Sequence, residues 1–295
     1  MKNLKIIDLS QYNNVTDLKK ATKNCDGVIL RLGIRGYSAG NLRLDSRFLE
    51  RVWQLIQLKV NWGVYFLTQA ISATEAEQEA VFCIENLMNL DRAKMTLGVW
   101  CDSEYSNEKK TGRADRISKA RRTEYANVFC RKLVLSGFRK TGVYCSESWA
   151  NSMLESGKVE YPFWIAKYGT NNGKQQKAPG MKHDMWQYTS KGSIPGIAGN
   201  VDVSVLYSIL EDVPVEEKKN PYTEPIYTLF RYRPLMNKDF VRWLQFELNE
   251  LGYGLAVDGV FGKDTDAALR DAQKRLGLVV DGKCGPATRE KLKSV

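Results

Sequence analysis

The sequence predicts an α/β protein: a barrel of mostly parallel strands whose last part has lost its helices, followed by a small all-α domain. Three observations lead there. Eight short apolar runs recur within residues 4–207, helical patterns separate the early runs but not the late ones, and two near-identical turn-and-helix motifs stand close to the C-terminus.

The strand candidates come first. They are LKIIDLS from Leu4, GVILRLG from Gly27, NWGVYFLT from Asn61, MTLGVWCDSEY from Met95, KTGVYC from Lys140, PFWIAKYG from Pro162, DMWQYTS from Asp184 and VDVSVLY from Val201. Each is short, rich in β-branched and aromatic residues, and bounded by polar or turn-forming residues. Between the third and fourth lies SATEAEQEAVFCIENLMNL. There Ser72 is placed to cap a helix in which Ala76, Ala80, Val81, Ile84, Leu87 and Met88 keep a helical period. A dense basic run, KKTGRADRISKARR (109–122), leads into a second helix. Its apolar stripe is Tyr125, Val128, Phe129 and Leu133, with Arg116, Lys119 and Arg122 expected to face solvent. From Lys140 onward the strands follow too closely for long helices. Alternating strands and helices imply a parallel sheet, and eight strands over some 200 residues imply closure.

A change of composition follows. Residues 213–234 carry charge clusters and Pro214, Pro221, Pro225 and Pro234, and read as a linker after a first domain of 1–212, with Tyr227 to Tyr232 free to pack on a neighbour. Residues 235–295 form the small domain. Asn237 caps a helix with Val241, Leu244, Leu248 and Leu251 on one face, and Gly252 ends it. Then VDGVFGKDTDAAL from Val257 and VDGKCGPATREKL from Val280 repeat V-D-G, Gly, Thr and Leu at the same offsets, each an Asp-Gly turn running into a helix.

Composition narrows the chemistry. A hydrophobic content of 43% is that of a globular chain, and no apolar stretch approaches the roughly 20 residues of a membrane helix, so no membrane insertion is expected. The first residues run straight into a strand without the apolar core and cleavage site of a signal peptide. Synthesis in the cytoplasm is therefore the expectation. The net charge of +10 belongs to the first domain, because residues 235–295 hold ten Lys and Arg against nine Asp and Glu. The basic run is either a solvated helix face or a surface for a polyanion such as nucleic acid or an anionic wall, and no nucleic-acid motif accompanies it. Six cysteines without a CxxC pair read as free, mostly buried thiols. His183 is the only histidine and reads as a surface residue. That excludes a histidine-clustered zinc site and leaves Ser or Cys nucleophiles short of a base, so neither metal nor cofactor is expected and carboxylate chemistry remains.

The carboxylates have a pattern. Asp102 and Glu104 in GVWCDSEYS are one residue apart at a strand end, where i and i+2 share a face about 6.6 Å apart. Two acids so close resist joint ionisation, which keeps one protonated near neutral pH, as glycoside hydrolysis requires. Asp8 ends the first strand, on the rim where parallel barrels build their sites. Aromatic residues occupy similar positions: Tyr65, Trp164, Tyr168, Trp186 and Tyr188. They suit either sugar stacking or core packing.

Together, IIDLSQYN, GVYFLTQAISATEAEQEA, GVWCDSEYS, GVYCSESWA, FWIAKYG and MWQYTSKGSIPGIAGNVDVSVLY resemble the glycoside hydrolase family 25 lysozymes of the Chalaropsis type, over residues 1 to about 210. The doubled V-D-G motif resembles the type 1 peptidoglycan-binding domain. The resemblance implies an irregular TIM-like (β/α)5(β)3 barrel and N-acetylmuramidase activity, with bacterial peptidoglycan as partner and the tail as wall tether. It implies Glu104 as proton donor, and Asp102 as nucleophile or as the group orienting the substrate's 2-acetamido group. Asp8 and Asp202 match two further acids of the groove, and Tyr65, Trp186 and, more loosely, Tyr168 match its aromatic lining. The sequence departs from the family in lacking a D-W pair at the first helix and in placing Cys101 beside the acids, where oxidation could reach the site. Lacking a signal peptide, such an architecture fits a phage or prophage endolysin acting at the host wall, with a bacterial autolysin as alternative. A non-catalytic wall-binding protein and a glycosidase of another amino-sugar polymer also remain open; no carboxylate is missing to favour the former.

Overall fold

The computed structural model describes residues 3–107, 109–214, 220–233 and 235–293. They form two units, 1–215 and 216–295, each with its own apolar core.

In the first unit all eight expected strands form: β1 (Leu4–Leu9), β2 (Gly27–Arg35), β3 (Trp62–Leu67), β4 (Val99–Asp102), β5 (Thr141–Ser146), β6 (Phe163–Ala166), β7 (Met185–Gly192) and β8 (Val201–Leu206). They pair in sequence order, and β1 pairs with both β2 and β8, which closes the barrel. Helices α1 (Leu18–Thr22), α2 (Phe48–Gln57), α3 (Ala73–Leu87), α4 (Lys119–Leu135) and α5 (Glu147–Ser152) follow the first five strands in turn. This is the (β/α)5(β)3 order. The sheet departs from the expected all-parallel arrangement at β8, which runs antiparallel to both neighbours. Residues 193–200 are too few to carry a parallel crossover, so the chain turns back as a hairpin.

Alternation along each strand sorts the side chains. Ile7 and Leu9 of β1, Val99 and Cys101 of β4, and Val203 and Val205 of β8 face outward into the core beneath the helices. Ile6, Ile29, Leu97, Trp100, Trp164, Met185 and Leu206 face inward and fill the lower part of the barrel. Cys101 is thus buried in the outer layer. Its thiol points away from the acids and is shielded from oxidants.

Two helices depart in detail from the expected stripes. Ser72 caps α3 through the Glu75 amide, but the buried face is Ala76, Glu79, Ala80, Cys83 and Leu87, while Met88 is exposed. Glu79 is tolerated there because its carboxylate takes Arg35 Nε at 2.8 Å and the Thr68 hydroxyl at 2.6 Å, and Arg35 spends its remaining donors on the Gly40 and Glu75 carbonyls. On α4, Arg116 and Lys119 are exposed as expected, but Arg122 is buried. Its guanidinium lies 4.7 Å from the centre of the Trp149 ring and donates to the Ala114 carbonyl. His183 is partly buried, with Nδ1 2.7 Å from the Met181 carbonyl and the ring edge-on to Tyr207.

The second unit holds α6 (Lys238–Glu250), α7 (Lys263–Arg275) and α8 (Pro286–Lys293), with Asn237 capping α6. Residues 220–233, expected to be linker, are part of it. Leu229 is fully buried in its core, Tyr222 and Tyr227 pack on the same cluster, and Leu229–Phe230 pairs with Lys283–Cys284. These apolar residues gain more by burial than a solvated linker would allow. The remaining linker positions, 215–219 and Pro234, lie outside the described residues.

The two V-D-G turns are held alike. Gln245 of α6 accepts from the Gly259 amide and donates to Asp258, to the Val260 carbonyl and to Thr265. Gln273 of α7 accepts from the Gly282 amide and donates to Asp281, to the Lys283 carbonyl and to Thr288. Each carboxamide is buried and bonded at both ends, so it fixes the turn without leaving an orphan polar group.

Candidate active site

One end of the barrel interior is polar. Asp8, Asp102, Glu104 and Asp202 line a pocket of about 210 Å³ together with Tyr65, Tyr144, Trp164, Tyr168 and Gln187. The topology explains how four acids from distant segments meet. Asp8 lies near the C-terminal end of β1 and Asp102 ends β4, on the rim where parallel strands finish. Because β8 runs the other way, its beginning reaches that same rim, and Asp202 is paired directly with Asp8. The β7–β8 register shifts on both sides of Val203, an irregularity of the kind that re-aims side chains beside sites.

Asp102 and Glu104 do not share a strand face. The strand ends at Asp102, Ser103 turns into the wall to accept a bond from the Trp149 indole, and Glu104 stands in the following loop. Both carboxylates still line the pocket, with Asp102 buried and Glu104 exposed at the mouth.

Beneath the acids lies an aromatic floor. Trp164 meets Tyr144 at 4.5 Å between ring centres, Trp100 at 5.8 Å and Tyr65 at 6.4 Å, all edge to face, and its indole donates to Ser204. Such surroundings disfavour charge. The Asp102 carboxyl is raised well above its usual value by burial and then by the Glu104 charge; Asp8 is raised by burial and by Asp202. Crowding by the walls and the Asp202 charge push Glu104 up to about 7, and burial pushes Asp202 up to about 6. Near neutral pH the set therefore holds protons, with Glu104 a carboxylic acid open to solvent. Burial also raises Tyr65, Tyr144 and Tyr168, keeping their hydroxyls protonated donors.

Gln187 orders the group. Its Oε1 accepts from both the Tyr144 and Tyr168 hydroxyls, which obliges Nε2 to face Asp8, 2.9 Å away. By contrast, the buried Oδ1 of Asp102 has no hydrogen-bond partner among the described residues. An orphan acceptor at the wall of an open pocket is positioned for a ligand.

Of the expected site residues, the structure gathers Asp8, Asp102, Glu104, Asp202, Tyr65, Trp164 and Tyr168 in one pocket. Trp164 is only 1% exposed, so it forms floor and cannot serve as a face for stacking. Trp186 is not in the pocket: it points outward into the helix-side core and bonds the Lys167 carbonyl. Its neighbour Gln187 takes the inward place, as alternation from Met185 requires. Tyr144 was also missed. Gly63-Val64-Tyr65, Gly98-Val99-Trp100 and Gly142-Val143-Tyr144 form a recurring G-V-aromatic signal, and in all three the ring points inward.

Fold and site together define a barrel of the glycosidase kind, with its acids crowded over an aromatic floor at one rim. The chain belongs to the glycosyl hydrolases family 25, whose model matches residues 7–197, and a model for a peptidoglycan binding domain matches residues 237–292. An autolytic lysozyme of Clostridium acetobutylicum is 29% identical over 150 residues, 50% of this chain and 40% of that protein. Among solved structures, the modular autolysin LytC of Streptococcus pneumoniae, in complex with a synthetic peptidoglycan ligand, is 27% identical with a TM-score of 0.59, over 70% of this chain and 47% of that one. The lysozyme of Streptomyces coelicolor shares the fold, with a TM-score of 0.58 at 21% identity, over 71% of this chain and 94% of that one. The chain thus spans less than half the length of two of these relatives.

Proposed function

We propose that this protein is a lysozyme that hydrolyses the β-1,4 bond between N-acetylmuramic acid and N-acetylglucosamine in peptidoglycan. The observation that carries the reading is the pocket in which four carboxylates converge while the solvent-facing one, Glu104, is held as an acid up to about pH 7. In this reading Glu104 gives its proton to the glycosidic oxygen as the bond to the anomeric carbon breaks. Asp102 faces the positive charge that develops there. Its unpartnered Oδ1 either bonds that carbon or accepts from the N–H of the 2-acetamido group, whose carbonyl oxygen then attacks. Water displaces the intermediate, Glu104 recovers its proton from that water, and configuration is retained. Asp202 raises the affinity of Glu104 for its proton, and Asp8, held by Gln187, lines the sugar site. The second unit serves as a tether that keeps the catalytic unit on an insoluble substrate. An endolysin and an autolysin would use this same chemistry at the wall.

Mass spectrometry of soluble products from purified Gram-positive peptidoglycan, with and without borohydride reduction, tests the reading. Muramic acid at the reducing ends is the expected result. Reducing N-acetylglucosamine would make the protein a glucosaminidase, and wall binding without cleavage would leave a binding protein.

A further inference from the structure

The larger cleft of the catalytic unit is not the one that holds the acids. It measures about 930 Å³, at the upper end of the range for ligand sites, and lies between the loop that follows β1 and the exposed side of α2. On it sits Trp53. Of the seven tryptophans, six are at most 5% exposed, whereas Trp53 is 50% exposed. Leaving so large an apolar ring in water forgoes much of its burial free energy, so its place on the wall of a cleft calls for a ligand.

The rest of the lining indicates which kind. Gln11, Asn13, Asn14, Gln54 and Gln57 supply carboxamides around the ring. Charges in the walls are compensated locally: Arg47 pairs with Glu50 at 2.9 Å, Arg51 donates to the Ser10 and Asn13 carbonyls, and Asp17 accepts from the Lys20 amide. An aromatic face ringed by amide donors and acceptors, with little unbalanced charge, matches a sugar ring bearing hydroxyl and acetamido groups better than an anionic polymer.

The cleft also adjoins the acids. Gln11 stands three residues after Asp8. Tyr12, 79% exposed on the cleft, lies under the Arg31 guanidinium at 5.0 Å, and Arg31 is the β2 residue level with Tyr65 on β3. Tyr37, partly exposed, feels the charges of Arg31, Glu104 and Asp102 and the hydroxyl of Tyr12. We propose that the Trp53 cleft is a second glycan site, continuous with the catalytic pocket across Tyr12 and Arg31, that holds an amino-sugar strand beyond the bond being cleaved. This rests on the glycan reading of the acid pocket and adds the direction in which a long strand runs.

Indole N–H signals in NMR separate the two sites, since Trp164 reports on the acid pocket and Trp53 on the cleft. The full chain carrying Glu104→Gln is titrated with peptide-free glycan strands released from peptidoglycan by an amidase, and separately with the N-acetylglucosaminyl-N-acetylmuramic acid disaccharide. Trp53→Phe and Trp164→Phe assign the two signals. Long strands are expected to shift both signals, and the disaccharide that of Trp164 alone; Trp53→Ala should weaken long-strand binding by about 2- to 10-fold. A moving Trp164 signal beside an unmoved Trp53 would overturn the second site and leave the lysozyme reading intact. If neither moves with long strands, both readings fall. If the disaccharide shifts Trp53 as strongly as long strands do, the cleft is a separate sugar site and the proposed continuity is wrong.

Discussion

The four acids differ in how much water they keep, and that difference sets what each substitution should do. Glu104→Gln preserves size and removes the proton, so lysis of purified walls, followed by turbidity, should slow by about 100- to 10,000-fold while the circular dichroism spectrum is unchanged. The pH dependence follows from the raised carboxyl. The rate should fall as pH rises through about 7, because Glu104 then loses the proton it must donate. Stability has the same sign. A carboxyl whose folded value lies above its unfolded one stabilises the protein fully below the unfolded value, near 4.5, and that contribution is lost as pH rises through about 7. Thermal scans should therefore find Glu104→Gln equal to the parent near pH 4 and higher in Tm above pH 7. Solvent at the pocket mouth screens the effect and limits it to roughly 1–3 °C. Equal Tm values across that range would mean that Glu104 is not crowded as described.

At the level of elements, the strands and the acids were legible in the sequence because both obey short-range rules. Apolar runs bounded by turn residues gave the eight strands, and Asp8, Asp102 and Glu104 lie at or just past strand ends where barrels place their chemistry. The inward side of β7 was not legible, because Trp186 and Gln187 are both plausible pocket residues until the barrel fixes which parity faces in. Arg122 and Glu79 were misplaced for a related reason. Each is charged, and only tertiary partners that are remote in sequence make its burial tolerable. The paired glutamines of the second unit escaped notice because their distances from the turns they hold differ: Gln245 precedes Asp258 by thirteen positions, Gln273 precedes Asp281 by eight. Gln273→Ala would strand the Gly282 amide and the Asp281 carboxylate's partner, at a cost of about 2–3 kcal/mol. Amide hydrogen exchange in the 281–288 turn should accelerate accordingly, and unchanged protection there would show that the carboxamide is dispensable.

For the molecule as a whole, the tether is the testable part. Residues 220–233 belong to the second unit's core, so a truncation should end at residue 214 rather than leave half of that core behind. The shortened chain should lose retention on purified walls even in high salt, since the second domain's near-balanced charge offers little for ions to screen. Retention unchanged by truncation would assign wall affinity to the barrel alone. The reversed direction of β8 bears on how such a protein is assembled from parts. Starting at the acids, β8 carries the chain back to the opposite end of the barrel, where the Val213 amide bonds the Arg139 carbonyl and Asp212 meets Lys140, just ahead of β5. The exit is thus fastened at the end remote from the chemistry. A gene fusion or recombination event past this point can exchange the downstream domain without disturbing a strand end that carries an acid, so the barrel's shape permits diversification of wall targeting at no cost to catalysis.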